Sequence, residues 1–346
     1  MLPASLAVAV AVSACTAKER RPALISDKTT MVTAWQVPQN PLTDPTLTDS
    51  RLADQIKWGF RIFTNTPHEA PRFTGSKVSC SNCHLNAGQR ERALPVVGVA
   101  GMFPEYNARA ARLISLNDRI VDCFLRSENA TGQLERESLG SRSPEGLARD
   151  GPTRRSADSS GRSGDGAKAD GAKTDGAEAG AERQLELPTP TSKEVLAVAA
   201  YLAWLSKGHA VGQNPPWRGR NAIPADHLVP VDKLDRSRGE AIYRERCTSC
   251  HGQDGQGVQI GDKKAGPLWG ADSWNDGAGA SRVYTLAGII RYAMPYLDPG
   301  SLTDEDAQHV AAFITAQPRP AYPFKDRDYP GGKIPADAVY YVAAER

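Results

Sequence analysis

Beyond the first dozen residues, no apolar run in the 346-residue chain approaches the roughly 20 residues that cross a bilayer. An internal membrane span is therefore excluded. Charge of one sign is missing too: 42 Lys and Arg against 40 Asp and Glu leave a net +2. Bulk electrostatics gives no attraction for nucleic acid or an anionic membrane. Any preference for an anionic substrate must come from local arginines. Aromatic residues make up 7% of the chain and none falls between positions 128 and 186. Hydrophobic content is 40%, low for one large core. Methionine (4), histidine (6) and cysteine (6) are scarce, so the position of each is informative.

Four of the six cysteines lie in two pentapeptides, Cys80-Ser81-Asn82-Cys83-His84 and Cys247-Thr248-Ser249-Cys250-His251. Each is C-x-x-C-H, the pattern for covalent attachment of a c-type haem. Two thiols two residues apart reach the two vinyl groups on one porphyrin edge, and the His that follows ligates iron. A chain of this composition would hold roughly 0.002 such pentapeptides by chance. Zinc is the rival reading, but it needs four convergent ligands, and neither motif has a second C-x-x-C nearby. Two covalent haem c groups follow, attached at Cys80, Cys83, Cys247 and Cys250, with His84 and His251 as iron ligands. The porphyrin supplies apolar bulk that the composition lacks.

Cys15 ends Val12-Ser13-Ala14-Cys15, after an apolar stretch and before polar chain. The segment has the form of a bacterial lipoprotein signal, with lipidation at Cys15, although a basic start is missing. An ordinary cleaved export signal is the alternative. Both place the protein in the periplasm, where haem c is attached, and the first anchors it by lipid alone.

The organisation read from the chain is mostly α: two cytochrome c-like haem domains in tandem, joined by a linker. Residues 1–15 are the signal and 16–47 a polar tether. The first domain covers 48–212 and contains an insertion at 128–186 whose GDGAK-ADGAK-TDGAE repeat and polarity predict disorder. A linker follows at 213–233, the second domain at 234–320 and a tail at 321–346. Apolar periodicity predicts helices over 49–64, 105–127, 191–206, 237–246 and about 282–292, with a closing helix from Thr303. Thr303 and Asp306 read as a cap. Gly239 and Tyr243 are expected to cross Val310 and Phe313, and Gly59 and Phe63 to meet Tyr201 and Trp204.

The sixth iron position separates functions. In the second domain Met294 is placed for it, downstream of the motif and before the closing helix, with His309 as rival on a face expected to meet solvent. A thioether raises reduction potential and suits electron transfer. The first domain offers Met102 or Cys123. Cys123 is an unpaired thiol on the apolar face of a predicted helix in an exported chain. A thiolate lowers the potential and is also a nucleophile toward sulfur, a combination an electron carrier does not need.

Around Cys123 the chain reads DRIVDCFLRS, later PLWGADSWNDGAG, AMP and VAAFITAQPRP, with SNCHLNAG at the first haem motif. These segments resemble the dihaem thiosulfate dehydrogenases, which couple two thiosulfates into tetrathionate. The likeness covers about 49–127 and 187–320. It implies His84 and Cys123 on the first iron, His251 and Met294 on the second, and a substrate site with Arg109, Arg119 and Ser127, Arg112 being a nearby spare. It also implies thiosulfate and tetrathionate as ligands and a soluble cytochrome c or another periplasmic acceptor. Ala293 stands where some members carry a Lys that exchanges with the Met. Three alternatives stay open: the reverse reaction, tetrathionate reduction; a plain dihaem electron-transfer cytochrome; and the haem subunit of a sulfur-oxidising complex.

Overall fold

The computed structural model describes residues 40–48, 50–132, 185–261 and 263–342. The Cys15 reading and most of the insertion lie outside them. Six helices carry the architecture. In chain order, α1 (Arg51–Thr64) is followed by a hairpin of β1 (Glu105–Asn107) and β2 (Arg112–Ile114) and by α2 (Leu116–Arg126). Then come α3 (Lys193–Leu205), α4 (Arg236–Arg246), α5 (Val283–Ala293) and α6 (Asp304–Thr315). Their apolar faces make two main cores, one from α1, α2 and α3 and one from α4, α5 and α6.

Each core is closed by a helix crossing at glycine. A Cβ on Gly59 would stand 1.9 Å from the Ala197 carbonyl oxygen, and one on Gly239 would stand 2.1 Å from that of His309. Nothing larger than hydrogen fits there, so the two backbones approach as far as sterics allow. Aromatic rings complete each crossing: Phe60 and Phe63 edge onto Tyr201, and Tyr243 meets Trp269 and Phe313. The two tyrosine hydroxyls donate to backbone carbonyls just beyond the C-x-x-C-H motifs, Tyr201 to Ala87 and Tyr243 to Gly252, each at 2.7 Å. The crossings thus fix the turns that present the motifs.

The helix predicted over 105–127 begins only at Leu116. Ser115 caps it: its hydroxyl accepts from Asp118 N at 3.1 Å, and the Asp118 carboxylate accepts from Ser115 N at 2.9 Å. That capping box competes with helical continuation on its N-terminal side. The residues before it pair as a hairpin, Tyr106 opposite Leu113, both exposed. The insertion also starts later than composition suggested. Glu128, Asn129, Ala130, Thr131 and Leu185 are buried, and Asn129 Nδ2 ties this stretch to the Ser273 carbonyl at 2.8 Å. The C-terminal segment folds back over the molecule and buries Tyr322, Tyr329 and Tyr340.

Candidate active site

His84 follows a four-residue helical turn, Cys80–Cys83. Its Nδ1 meets the Leu94 carbonyl at 2.5 Å. That carbonyl sits on a loop with several non-glycine residues at positive φ, Leu94 itself among them at 49°. Such backbone costs free energy and persists only where the surroundings over-determine it. Here it aims a carbonyl at the imidazole, which leaves Nε2 as the free ligand atom. Burial holds the imidazole neutral, with its pKa lowered to about 4.

Cys123 lies on α2, and Arg119, Cys123 and Ser127 are spaced by four, one above another on a single helix face. Ser127 is the C-cap, its N–H donating to the Cys123 carbonyl at 2.7 Å. Burial raises the Cys123 thiol pKa, opposed by the positive charge of Arg119. The Cys123 thiolate is in turn the main influence that raises Arg119. Burial raises Cys80 and pushes Cys83 up to about 12, and both also sense the Cys123 charge. Arg119 is exposed, close enough to Cys123 for the two charges to act on each other.

The arginines of this region divide by partner. Arg112 reaches Asp118 at 3.5 Å on the surface. Arg126 is buried and bidentate to Asp328 at 2.7 and 2.8 Å. Arg109 donates to the Gly277 carbonyl at 2.7 Å and lies over the Tyr329 ring. Among the described residues neither Arg109 nor Arg119 has a carboxylate at ion-pair distance.

In the second core, Cys247–Cys250 leads to His251, whose pKa burial lowers. The Gly266 backbone opposes that shift in part, and His251 Nδ1 has no hydrogen-bond partner among the described residues. Met294 is the C-cap of α5, half-buried against Leu85, Ala93 and Ala293. The two rival ligands are occupied elsewhere. His309 is buried, not solvent-facing as its capped helix suggested. Its Nδ1 accepts from Asp235 N at 3.0 Å and its Nε2 faces Arg238 and Glu305. Met102 Sδ accepts from Arg218 at 3.3 Å.

The residues fit covalent haem c. Paired thiols and an imidazole whose pKa burial lowers stand together in each motif, and the five described cysteines are free. Among the described residues no group of three or more His, Cys, Asp or Glu side chains converges as a zinc site would require. In the first core a third thiol, Cys123, is close enough for its charge to reach Cys80, Cys83 and Arg119.

Sequence reasoning passed over Glu128, buried with its Oε1 4.0 Å from Cys80 Sγ and its pKa raised well above the usual range by burial. It also passed over Gly277, Asp328 and Tyr329. The signal for the last two was available: a segment taken as tail carries Tyr322, Tyr329, Tyr340 and Tyr341 in a chain poor in aromatics. Glu128 had no such signal, since its flanks are polar.

Comparison with known proteins agrees with this chemistry. Residues 235–314 match the family model for cytochrome c oxidase, cbb3-type, subunit III. Thiosulfate dehydrogenase of Allochromatium vinosum is 34% identical over 302 residues, 84% of this chain and 88% of that protein. The one from Stutzerimonas stutzeri is 30% identical over 82% of this chain and 73% of its own length. The solved "as isolated" thiosulfate dehydrogenase (TsdBA) of Marichromatium purpuratum superposes with a TM-score of 0.58 at 27% identity. That match covers 79% of this chain and 48% of the other, so the chain spans about half of that larger one. No described helix is long and apolar enough to cross a membrane. A cytochrome c-type unit over α4 to α6, and likeness to curated thiosulfate dehydrogenases over most of both chains, place this chain in the thiosulfate dehydrogenase family.

Proposed function

We propose that the protein joins two thiosulfates into tetrathionate at the Cys123 site. The observation that carries this reading is the stripe Arg119, Cys123, Ser127 on α2, with Arg109 and Arg119 the two local arginines lacking a carboxylate partner. Two thiosulfate dianions repel each other. Two guanidiniums without a carboxylate at ion-pair distance offset that repulsion. Ser127 stands one turn beyond Cys123 to donate a hydrogen bond to a substrate oxygen. The outer sulfurs of the two substrates form one S–S bond, two electrons leave, and no proton is exchanged. Tetrathionate reduction is the same chemistry reversed.

Two haem c groups would be held by Cys80, Cys83 and His84 and by Cys247, Cys250 and His251, in tandem cytochrome c domains over 48–212 and 234–320. When bound, they supply the one-electron redox chemistry. Cys123 and Met294 would take the remaining iron positions, one favouring a low and the other a high potential. The acceptor would be a soluble cytochrome c or another periplasmic carrier. Export with lipid attachment at Cys15 completes the reading.

The test is the purified holoprotein with thiosulfate and ferricyanide. One tetrathionate per two ferricyanides reduced supports the proposal. No thiosulfate-dependent reduction overturns it and leaves an electron carrier without its own substrate.

A further inference from the structure

Arg109 is fixed from outside its own part of the chain. Its N–H and the Ala110 N–H bond the Asn107 side chain, which shapes the turn between β1 and β2. The guanidinium then leaves that turn and donates to the Gly277 carbonyl. The Arg109 carbonyl accepts from Tyr329 N at 2.7 Å, and the Tyr329 ring lies 5.7 Å beneath the guanidinium carbon. Gly277 and Tyr329 both belong to the C-terminal part of the molecule, more than a hundred residues away.

That part is itself anchored. Asp328, next to Tyr329, receives both Nη atoms of buried Arg126 and the Tyr341 hydroxyl at 2.5 Å. Tyr341 also edges onto the Tyr329 ring, the centroids 5.3 Å apart. The Gly277 carbonyl accepts from Arg126 as well, at 3.1 Å. A Cβ on Gly277 would meet the Tyr322 ring at 2.5 Å, so that carbonyl cannot shift freely. The result is one rigid mount: Asp328 cancels the Arg126 charge and locks the strap, and the strap presents Tyr329 to Arg109.

We propose that the C-terminal strap is a working part of the substrate site and that Tyr329 is a positioning residue, holding the Arg109 guanidinium on the thiosulfate-binding side. This rests on the reading of Arg109 as a substrate-binding residue. An aromatic face holds a cation without neutralising it. A carboxylate in the same place would hold it as firmly but cancel the charge the substrate needs.

The experiment is steady-state kinetics of the holoprotein with thiosulfate, with haem absorption recorded for every variant. Tyr329→Leu removes the face of the ring and is expected to raise KM about threefold to tenfold, with kcat within about twofold and haem spectrum unchanged. Tyr329→Phe keeps the face and restores the parental KM. Tyr341→Phe, which removes only the hydroxyl on Asp328, is the gentler second variant and raises KM in the same direction. Because Tyr329 acts through Arg109, the double variant Arg109→Ala/Tyr329→Leu should match Arg109→Ala alone. If Arg109→Ala raises KM while Tyr329→Leu does not, or if the two effects multiply in full, the positioning role is wrong and Arg109 keeps its place. If Arg109→Ala leaves KM unchanged, the substrate reading of Arg109 falls, and the strap's role falls with it.

Discussion

The two C-x-x-C-H sites share a scaffold and differ in what faces them. Both follow a glycine crossing, Gly59 on Ala197 and Gly239 on His309, and in both a tyrosine hydroxyl ties down the turn after the motif. Beyond that they part. The first site has a thiol and an uncompensated guanidinium one helical turn apart on α2. The second has the thioether of Met294, packed in apolar company that includes Leu85 and Ala93 from the first site's own loop. One scaffold therefore holds a charged environment at the first motif and an apolar one at the second, which the proposed function assigns to substrate and to electron transfer. In the proposed function the pentapeptide attaches the cofactor, and residues some forty positions downstream set its task.

Making the first site resemble the second is the strongest way to break this comparison. Cys123→Met should keep both covalent haems, since attachment uses only Cys80, Cys83, Cys247 and Cys250. It should raise the first haem's potential, because a thioether replaces a thiolate. Thiosulfate oxidation should fall about a hundredfold or more, roughly 2.7 kcal/mol of transition-state stabilisation. Mass spectrometry, redox titration and product assay check the three parts.

The scaffold can be broken symmetrically. Gly59→Ala and Gly239→Ala each drive a methyl into a backbone carbonyl, with no flexible side chain to give way. Each should cost about 3 kcal/mol or more of stability. Loss should be local: thermal unfolding followed at each haem's absorption should show the first haem's surroundings fail in one variant and the second's in the other. Asp328→Ala leaves buried Arg126 only the more distant Asp122 carboxylate, 3.8 Å from its Nε, and should cost about 3 kcal/mol, read as a lower unfolding midpoint.

Arg119→Ala should act on substrate and leave the fold alone. A tenfold or larger rise in KM is expected, about 1.4 kcal/mol, with near-normal haem absorption. A change confined to the spectrum, with KM held, would make Arg119 a partner of Cys123 only.

Much of this was legible in the chain, for identifiable reasons. Helices α1, α3, α4, α5 and α6 fell within a few residues of their periodic apolar stretches because each buries one continuous face. The glycine crossings were readable because glycine beside an aromatic in a helix is costly unless something approaches it. The hairpin at 105–114 was hidden: its apolar spacing is helical, and only the Ser115–Asp118 box shows that the helix begins later. Burial of His309 was hidden because its cap lies on the exposed turn while the residue itself faces α4 and accepts from Asp235. The Arg109 mount was hidden because it joins segments far apart in sequence through backbone atoms, and backbone atoms carry no sequence signature.

The smallest effect concerns residues 133–184. Their composition, rich in Gly, Ser and Ala and free of aromatics, offers little to bury. Deleting them, while keeping the packed 128–132 and 185–186, should leave both covalent haems in place and alter the unfolding midpoint by no more than a degree or two, on the order of 0.5 kcal/mol. Loss of a haem adduct would show that the segment supports the first site.

Electron paramagnetic resonance of the oxidised holoprotein, beside Cys123→Met, tests the difference between the two sites most directly. The parental protein should give two low-spin ferric signals, one with the compressed anisotropy of thiolate ligation and one of histidine–methionine type. In Cys123→Met the thiolate signal alone should vanish. Identical spectra from the two proteins would contradict the account, because Cys123 would then not be what separates the first site from the second.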